Sequence, residues 1–298
     1  MRVPAAFLVL VTTAGGSDGV PFLTRGQAPL DVGGRNVSAA DCVDCHEETV
    51  AQWQTSRHAQ SFSNALFQVA LQKESLDRCV NCHAPLVEQR DSALSSEGVS
   101  CAACHVRNGE AHGNNPVLDE NLCAQCHEFA FLEEHPLNRG QLSQGTVREW
   151  LESGSTRTCV DCHMPEGSHA FPGAHDVEML QRALTVDVER LGDICVISLA
   201  ATRVGHRVPT GDLFRRVDVE LHGELHSELL TSLGRTLETT PHGPLVLADE
   251  RLVPGEPWVL VAACQPGDDL VVRYHYATVR DALAANVVPV VVHRVTVR

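Results

Sequence analysis

The chain has 298 residues, enough for two ordinary domains, and a formal net charge of −15 from 38 acidic and 23 basic side chains. This balance argues against binding to nucleic acid or to an anionic membrane surface, since both require a basic patch. Hydrophobic residues make up 43% of the chain but aromatic residues only 4%, beside 12 cysteines and 16 histidines. We therefore expect a folded protein in which a group other than aromatic side chains fills part of the core.

The N-terminus has the pattern of an export signal. Arg2 precedes an apolar run over 3–11, and small residues follow. This order predicts a signal peptide over residues 1–14, extending to about residue 20, with cleavage after Ala14; the alternative is a flexible, mildly apolar tail. The run is too short to span a bilayer, and no later segment approaches a membrane span. We expect a periplasmic or extracellular protein.

Ten of the twelve cysteines form five C-x-x-C pairs, each followed at once by histidine. Two thiols at this spacing add to the two vinyl groups of one porphyrin, and the adjacent histidine binds the iron from the proximal side. Disulfides and zinc ribbons leave the five histidines unexplained. The sequence therefore predicts five covalently bound c-type haems, held by Cys42, Cys45 and His46; Cys79, Cys82 and His83; Cys101, Cys104 and His105; Cys123, Cys126 and His127; and Cys159, Cys162 and His163.

The spacing of the motifs predicts one shared haem domain. The three central motifs begin at residues 79, 101 and 123, and segments this short do not fold independently. The haems are therefore expected to share a core over residues 36–190, with irregular, proline-containing loops between short helices. Helices are predicted over 47–60, 63–75, 142–153 and 177–185.

Distal iron ligands are expected among the remaining histidines. Five lie between residues 36 and 190 outside the motifs, which matches the number that five bis-histidine haems require: His58, His112, His135, His169 and His175. The count alone pairs no histidine with a particular haem. Met164 and Met179 are alternative ligands, but packing is favoured for both.

Four segments resemble multihaem cytochromes of the cytochrome c-554 family. Residues 53–59 match the W-x-x-S-x-H-A pattern after the first motif, and 98–113 and 159–176 resemble two later haem elements. Residues 205–211 (GHRVPTG) resemble a G-H-x-x-P-T-G element found downstream of the haems in related multihaem cytochromes. The resemblance covers roughly residues 40–215 and implies closely packed haem pairs and a role in electron transfer.

The same resemblance implies particular distal ligands. By this resemblance, the distal ligands include His58, His112, His169 and His175. For the fifth, His206 in the downstream element is preferred over His135, which completes the count inside the haem segment.

The C-terminal third is predicted to be a small β-sandwich-like domain over residues 191–298. Its expected strands are 194–200, 217–221, 258–262, 270–276 and 287–297. The sequence leaves two alternatives for Cys195 and Cys264, a disulfide or two buried free thiols. His222 and His226 lack the H-E-x-x-H pattern, so a solvated turn is predicted there.

These observations predict an α+β multidomain fold, in which a mostly helical and irregular multihaem cytochrome c domain precedes the β-domain. The predicted function is electron transfer between redox partner proteins. The rival is an oxidoreductase with one five-coordinate haem acting on a small nitrogen or sulfur compound. No motif ends in lysine, and Tyr274 and Tyr276 lie in the β-domain, away from the motifs, which argues against the rival. A subunit that self-assembles through haem or β-domain contacts is a third alternative.

Overall fold

The structure, a computed structural model, describes residues 29–35, 37–73, 77–111, 120–131, 136–138, 140–224, 226–241 and 243–298. The predicted signal peptide, His112 and His135 lie outside these residues. Within the described ranges, no helix has the length and apolar character needed to cross a membrane.

Short helices carry the five C-x-x-C-H motifs. Helix α1 starts next to Cys42, and four other helices end on the histidine of their motif. The helices are α1 Val43–Thr55, α2 Ala65–Lys73, α3 Asp77–His83, α4 Cys101–His105, α5 Glu120–His127, α6 Thr146–Ser153, α7 Cys159–His163, α8 Val177–Ala183 and α9 Val279–Ala284. Helices of this length are marginal in water on their own, so their stability must come from tertiary contacts.

The predicted helix over 142–153 is wrong in its first turn. Leu142–Gly145 forms strand β2, which pairs with β1, Glu128–Ala130. Helix α6 begins only at Thr146, where Gly145 offers no side-chain cap. The carboxylate of Glu128 instead accepts hydrogen bonds from the backbone N–H groups of Val147 and Arg148, each at 3.1 Å. A residue distant in sequence therefore caps this helix, which local patterning does not reveal.

Eight strands form two antiparallel sheets in the C-terminal part. They are β3 Leu184–Leu191, β4 Ile194–Ala201, β5 Arg216–His222, β6 Ser227–Thr240, β7 Gly243–Asp249, β8 Pro257–Ala263, β9 Asp269–His275 and β10 Val290–Thr296. One sheet has the order β10-β9-β5-β6-β7 and the other the order β3-β4-β8. Ile197 and Leu199 of the smaller sheet share a core with Val217 and Val272 of the larger one, which confirms the predicted fold class.

The five predicted strands coincide with β4, β5, β8, β9 and β10, whereas β3, β6 and β7 were not predicted. Strand β3 follows α8 directly and pairs with β4 along its whole length, from Leu184 opposite Ala201 to Leu191 opposite Ile194. It lies before the domain boundary predicted at residue 191.

Cys195 and Cys264 form a disulfide, which decides between the two alternatives left open by the sequence. Their Cα atoms are 5.8 Å apart, and both residues are buried. The bond joins β4 to the segment that follows β8.

Replacing both cysteines (Cys195→Ala with Cys264→Ala) is expected to lower the free energy of unfolding by about 2–4 kcal/mol, because the crosslink restricts the unfolded chain. Urea unfolding followed by circular dichroism measures this change. An unfolding midpoint equal to that of the unmodified protein would contradict the expectation.

Glu149 of α6 ties the helical part to the β-sheets. Its carboxylate accepts from Nη1 of Arg251 at 2.6 Å and from the hydroxyl of Thr210 at 2.8 Å. Arg251 also donates to the backbone oxygen of Pro209 at 3.4 Å. Glu149 and Arg251 are both buried, so the loop over 205–211 is held by a desolvated ion pair.

Glu149→Gln is expected to destabilise the protein by about 1–3 kcal/mol, because the buried Arg251 loses one charge-assisted hydrogen bond but keeps Asp249, whose carboxylate accepts from Nε and Nη2 at 2.7 Å each. Glu152→Gln, an exposed position on the same helix, is the matched control and should change stability by less than about 0.5 kcal/mol. Equal unfolding midpoints for the two variants would show that the ion pair does not stabilise the fold.

Candidate functional site

One continuous cavity of about 2770 Å³ lies between the short helices and the β-sheets. All ten motif cysteines and all five motif histidines line it, together with His58, His169, His175 and His206. A pocket for a single drug-sized ligand measures about 300–1,000 Å³, so this cavity is sized for several large groups. Paired thiols beside a histidine on the wall of such a cavity are the donor set that covalent haem requires.

In four of the cavity histidines, Nδ1 lies within hydrogen-bonding distance of a backbone carbonyl oxygen. The distances are 2.8 Å from His83 to Ser61, 2.7 Å from His163 to Pro172, 2.9 Å from His169 to Gly167, and 3.0 Å from His206 to Arg207. A carbonyl only accepts hydrogen bonds, so Nδ1 carries the proton in each ring. The lone pair of Nε2 is then free to bind iron, in the arrangement typical of metal-ligating histidines.

Three pairs of histidine rings face each other at one common spacing. The ring centres are 6.3 Å apart for His58 and His127, 6.1 Å for His105 and His169, and 6.3 Å for His163 and His206. An imidazole nitrogen binds a metal ion such as zinc at about 2.0 Å with the ring centre about 1 Å beyond, so two rings on opposite sides of one ion have centres about 6 Å apart. Each pair therefore has the spacing for one iron between its rings.

Burial keeps the imidazoles of His58 and His127 neutral. It lowers the pKa of His58 to about 4, with a smaller contribution from His163. It lowers the pKa of His127 to about 3, with contributions from His58 and His163. At neutral pH both rings are uncharged, the state that metal binding requires.

The motifs contact one another across the cavity. The side chains of Cys42 and Cys101 are hydrogen-bonded, which joins the first motif to the third. The side chains of Cys82 and Cys126 are also hydrogen-bonded, which joins the second motif to the fourth. Groups attached at these cysteines would therefore be close neighbours.

His175 has different surroundings from the other cavity histidines. Nη2 of Arg57 lies 3.0 Å from Nδ1 of His175, and the ring of Tyr276 stacks on the imidazole at 4.2 Å. Tyr274 and Tyr276 both line the cavity, so the expectation that the tyrosines lie away from the motifs is wrong. Strand β9 and the residue after it bring them there, a contact between distant segments that spacing along the chain does not reveal.

His222 and His226 form no catalytic or metal site. His222 is the half-buried last residue of β5 and contacts Glu220 at 2.6 Å, whereas His226 is exposed in the following turn, so the predicted solvated turn is correct for His226 alone. Within the described part of the chain, no group of three or more His, Cys, Asp or Glu side chains is arranged to hold a metal ion by itself.

Comparisons with known proteins agree with this architecture. A family model described as cytochrome c554 and c-prime matches residues 41–106, which contain the first three motifs. A penta-haem cytochrome c552 from Thermochromatium tepidum is similar over 85% of this chain and 96% of its own, with a TM-score of 0.67 and 18% identity. A superoxide reductase from Nanoarchaeum equitans covers 32% of this chain and 81% of its own at 10% identity; its TM-score of 0.22 carries no argument. No curated protein matches significantly.

The fold and the site together define a multihaem c-type cytochrome. The resemblance to the cytochrome c-554 family, predicted from the motifs, is confirmed by the match over residues 41–106. The structural similarity extends beyond that match and includes the C-terminal sheets, since it covers 85% of the chain.

The spacing of the His163 and His206 rings predicts the effect of removing His206. His206→Ala is expected to leave every haem attached, because the thioether bonds do not involve it, but to convert one low-spin haem to high spin. Low-temperature EPR measures the change, and His226→Ala is the control at an exposed position. An unchanged spectrum for His206→Ala would contradict the pairing with His163.

Proposed function

We propose that this protein is an exported pentahaem c-type cytochrome that carries electrons between redox partner proteins. The observation that carries the proposal is the single cavity lined by all five motifs. Haems attached around one cavity lie near enough to exchange electrons without movement of the chain. Five haems would also supply the apolar core surface that the few aromatic residues do not.

Three of the haems are proposed to have two histidine ligands each. The ring spacings support His58 opposite His127, His169 opposite His105, and His206 opposite His163. A bis-histidine iron has no open coordination position, so it exchanges electrons and binds no substrate. His206 is thus preferred over His135, in line with the sequence prediction, while His112 and His135 stay predicted ligands outside the described residues.

The contacts between motifs support an order of electron transfer. The side chains of Cys42 and Cys101 are adjacent, which supports placing the first haem beside the third. The side chain of Cys126 is adjacent to that of Cys82 and close to that of Cys104, which supports placing the fourth haem beside the second and the third. His163 is close to His127, which brings the fifth haem beside the fourth. We infer that the fourth haem is the branch point of the path.

Export is proposed on two grounds. The N-terminal pattern is that of a signal peptide, and a disulfide between Cys195 and Cys264 is stable in an oxidising compartment. Cell fractionation with N-terminal sequencing tests this; a mature chain that begins after Ala14 is the expected result, and an intact N-terminus in the cytoplasm would overturn it.

The acidic charge supports a basic partner. A net charge of −15 attracts a positively charged surface and accelerates encounter. Because salt screens such attraction, the rate of electron exchange with the partner should fall as ionic strength rises.

Removing the fourth haem tests both the count and the order. Cys123→Ala with Cys126→Ala is expected to leave four haems and to slow electron equilibration between the first and fifth haems, because the branch point is lost. Pulse radiolysis with rapid-freeze EPR follows the individual haems after a substoichiometric electron is added. Cys79→Ala with Cys82→Ala, which removes the second haem and leaves the path from the first through the third and fourth to the fifth, is the matched control.

Two outcomes would contradict the proposal. Fewer than five haems per chain in the unmodified protein would overturn the count. Unchanged equilibration without the fourth haem would overturn the order. If the double variant does not accumulate, His58→Met supplies the same test, since a methionine ligand raises the potential of that haem and makes it trap electrons.

One observation favours the second candidate function, an oxidoreductase with an open haem. Arg57 is hydrogen-bonded to His175, which the sequence predicted to be a distal ligand. This contact favours a role for His175 other than binding iron.

A further inference from the structure

The proton on the His175 ring is at the wrong nitrogen for an iron ligand. A guanidinium group only donates hydrogen bonds, so Nδ1 of His175 accepts from Nη2 of Arg57 at 3.0 Å. A neutral imidazole that accepts at Nδ1 carries its proton on Nε2. His83, His163, His169 and His206 have the opposite arrangement, with Nδ1 bonded to a carbonyl. His175 therefore presents an N–H donor where they present a lone pair.

Two cationic groups adjoin His175. Arg57 bonds to it directly, and Arg215 is near enough to lower its pKa, after the larger effect of burial and that of Arg57. Nε of Arg215 is buried and has no hydrogen-bond partner among the described residues. Arg215 also donates from Nη1 to the backbone oxygen of Thr210 at 3.1 Å and is hydrogen-bonded to Tyr274, and Asp212 is the carboxylate near it.

This cluster lies at an entrance. A second cavity of about 520 Å³ is lined by Arg57, His175 and Tyr276, which also line the large cavity. Polar side chains at its wall include Gln60, Ser63 and Asn64. The cluster thus stands where the smaller cavity meets the larger one.

The second haem motif is close to this entrance. Ala65 and Leu66, at the start of α2, line the smaller cavity. The next residue, Phe67, stacks on the ring of His83 with centres 3.8 Å apart. Asp212 is also electrostatically close to His83. The entrance therefore adjoins the haem attached at Cys79 and Cys82.

We propose that Arg57, His175 and Arg215 form a binding site for a small planar oxyanion of the nitrite class, beside the haem held by His83. The donors for the anion are the buried Nε–H of Arg215, which has no partner among the described residues, the remaining N–H hydrogens of Arg57 and the N–H of His175. The hydroxyl of Tyr276 already donates to the backbone oxygen of Ala174 at 2.9 Å, so Tyr276 serves to hold the His175 ring in place. This inference rests on the proposed function, because it requires the haem.

Nitrite titration of the full-length protein with its haems attached tests the site. Sodium nitrite is added at constant ionic strength, with sodium chloride as the balancing salt, and binding is followed by the absorption and EPR spectra. One haem is expected to respond. Arg57→Gln should weaken the apparent Kd by about tenfold or more, the loss expected for one charge-assisted hydrogen bond, and Arg57→Lys should restore part of it. Arg190→Gln, an exposed arginine of β3 away from both cavities, should leave the Kd unchanged.

The variant His175→Ala distinguishes a His175 that donates to the anion from a His175 that binds iron. A donor to the anion can be removed without changing the number of high-spin haems, so the variant should show the unmodified EPR spectrum and weaker nitrite binding. An additional high-spin signal would identify His175 as an iron ligand, as the sequence predicted, and would overturn the inference.

The remaining outcomes separate the inference from the proposed function. Five low-spin haems with no response to nitrite would overturn the inference and leave the electron carrier intact. Nitrite binding that is equal in the unmodified protein, Arg57→Gln and His175→Ala would also overturn it. A haem count below five would instead count against the proposed function. The haem count and circular dichroism of each variant verify its fold.

Discussion

Attachment of several haems to one short polypeptide is the constraint on which the rest of this structure depends. Helices such as Cys101–His105 and Cys159–His163 are too short to be stable alone, and each is positioned by its motif at the wall of the common cavity. The short helices form the wall of the cavity at which the haems would be attached. This explains how a protein with 4% aromatic residues can still enclose a large apolar interior.

The β-sheets complete that lining. The buried Glu149–Arg251 pair holds the loop over 205–211, and this loop places His206 opposite His163 at 6.3 Å. The end of β9 contributes Tyr274 and Tyr276 to the same cavity. The sheets therefore form part of the cavity wall, and loss of the ion pair would affect the position of His206 as well as stability.

The proposed electron carrier and the proposed anion site depend on two kinds of histidine in the same cavity. Rings whose Nδ1 bonds to a carbonyl present a lone pair, as His163 does, whereas His175 is turned into a donor by Arg57. The direction of this hydrogen bond is what separates the proposed iron ligands from the proposed anion-binding residue. Nε of Arg215, which is buried and has no hydrogen-bond partner in the described part of the chain, lies in the same cluster.

Local sequence determined the haem motifs and the strands with alternating or β-branched residues, because attachment chemistry and strand patterning involve neighbours along the chain. It did not reveal β2, which precedes a helix capped by the distant Glu128, nor the mostly exposed strand β6. The spacing of the cysteines predicted the haem motifs, but it could not pair each motif histidine with the ring opposite it. Only the tertiary structure set His58 against His127 and His169 against His105, and brought Tyr276 onto His175. These contacts join segments far apart in sequence, and packing around a common cavity decides them.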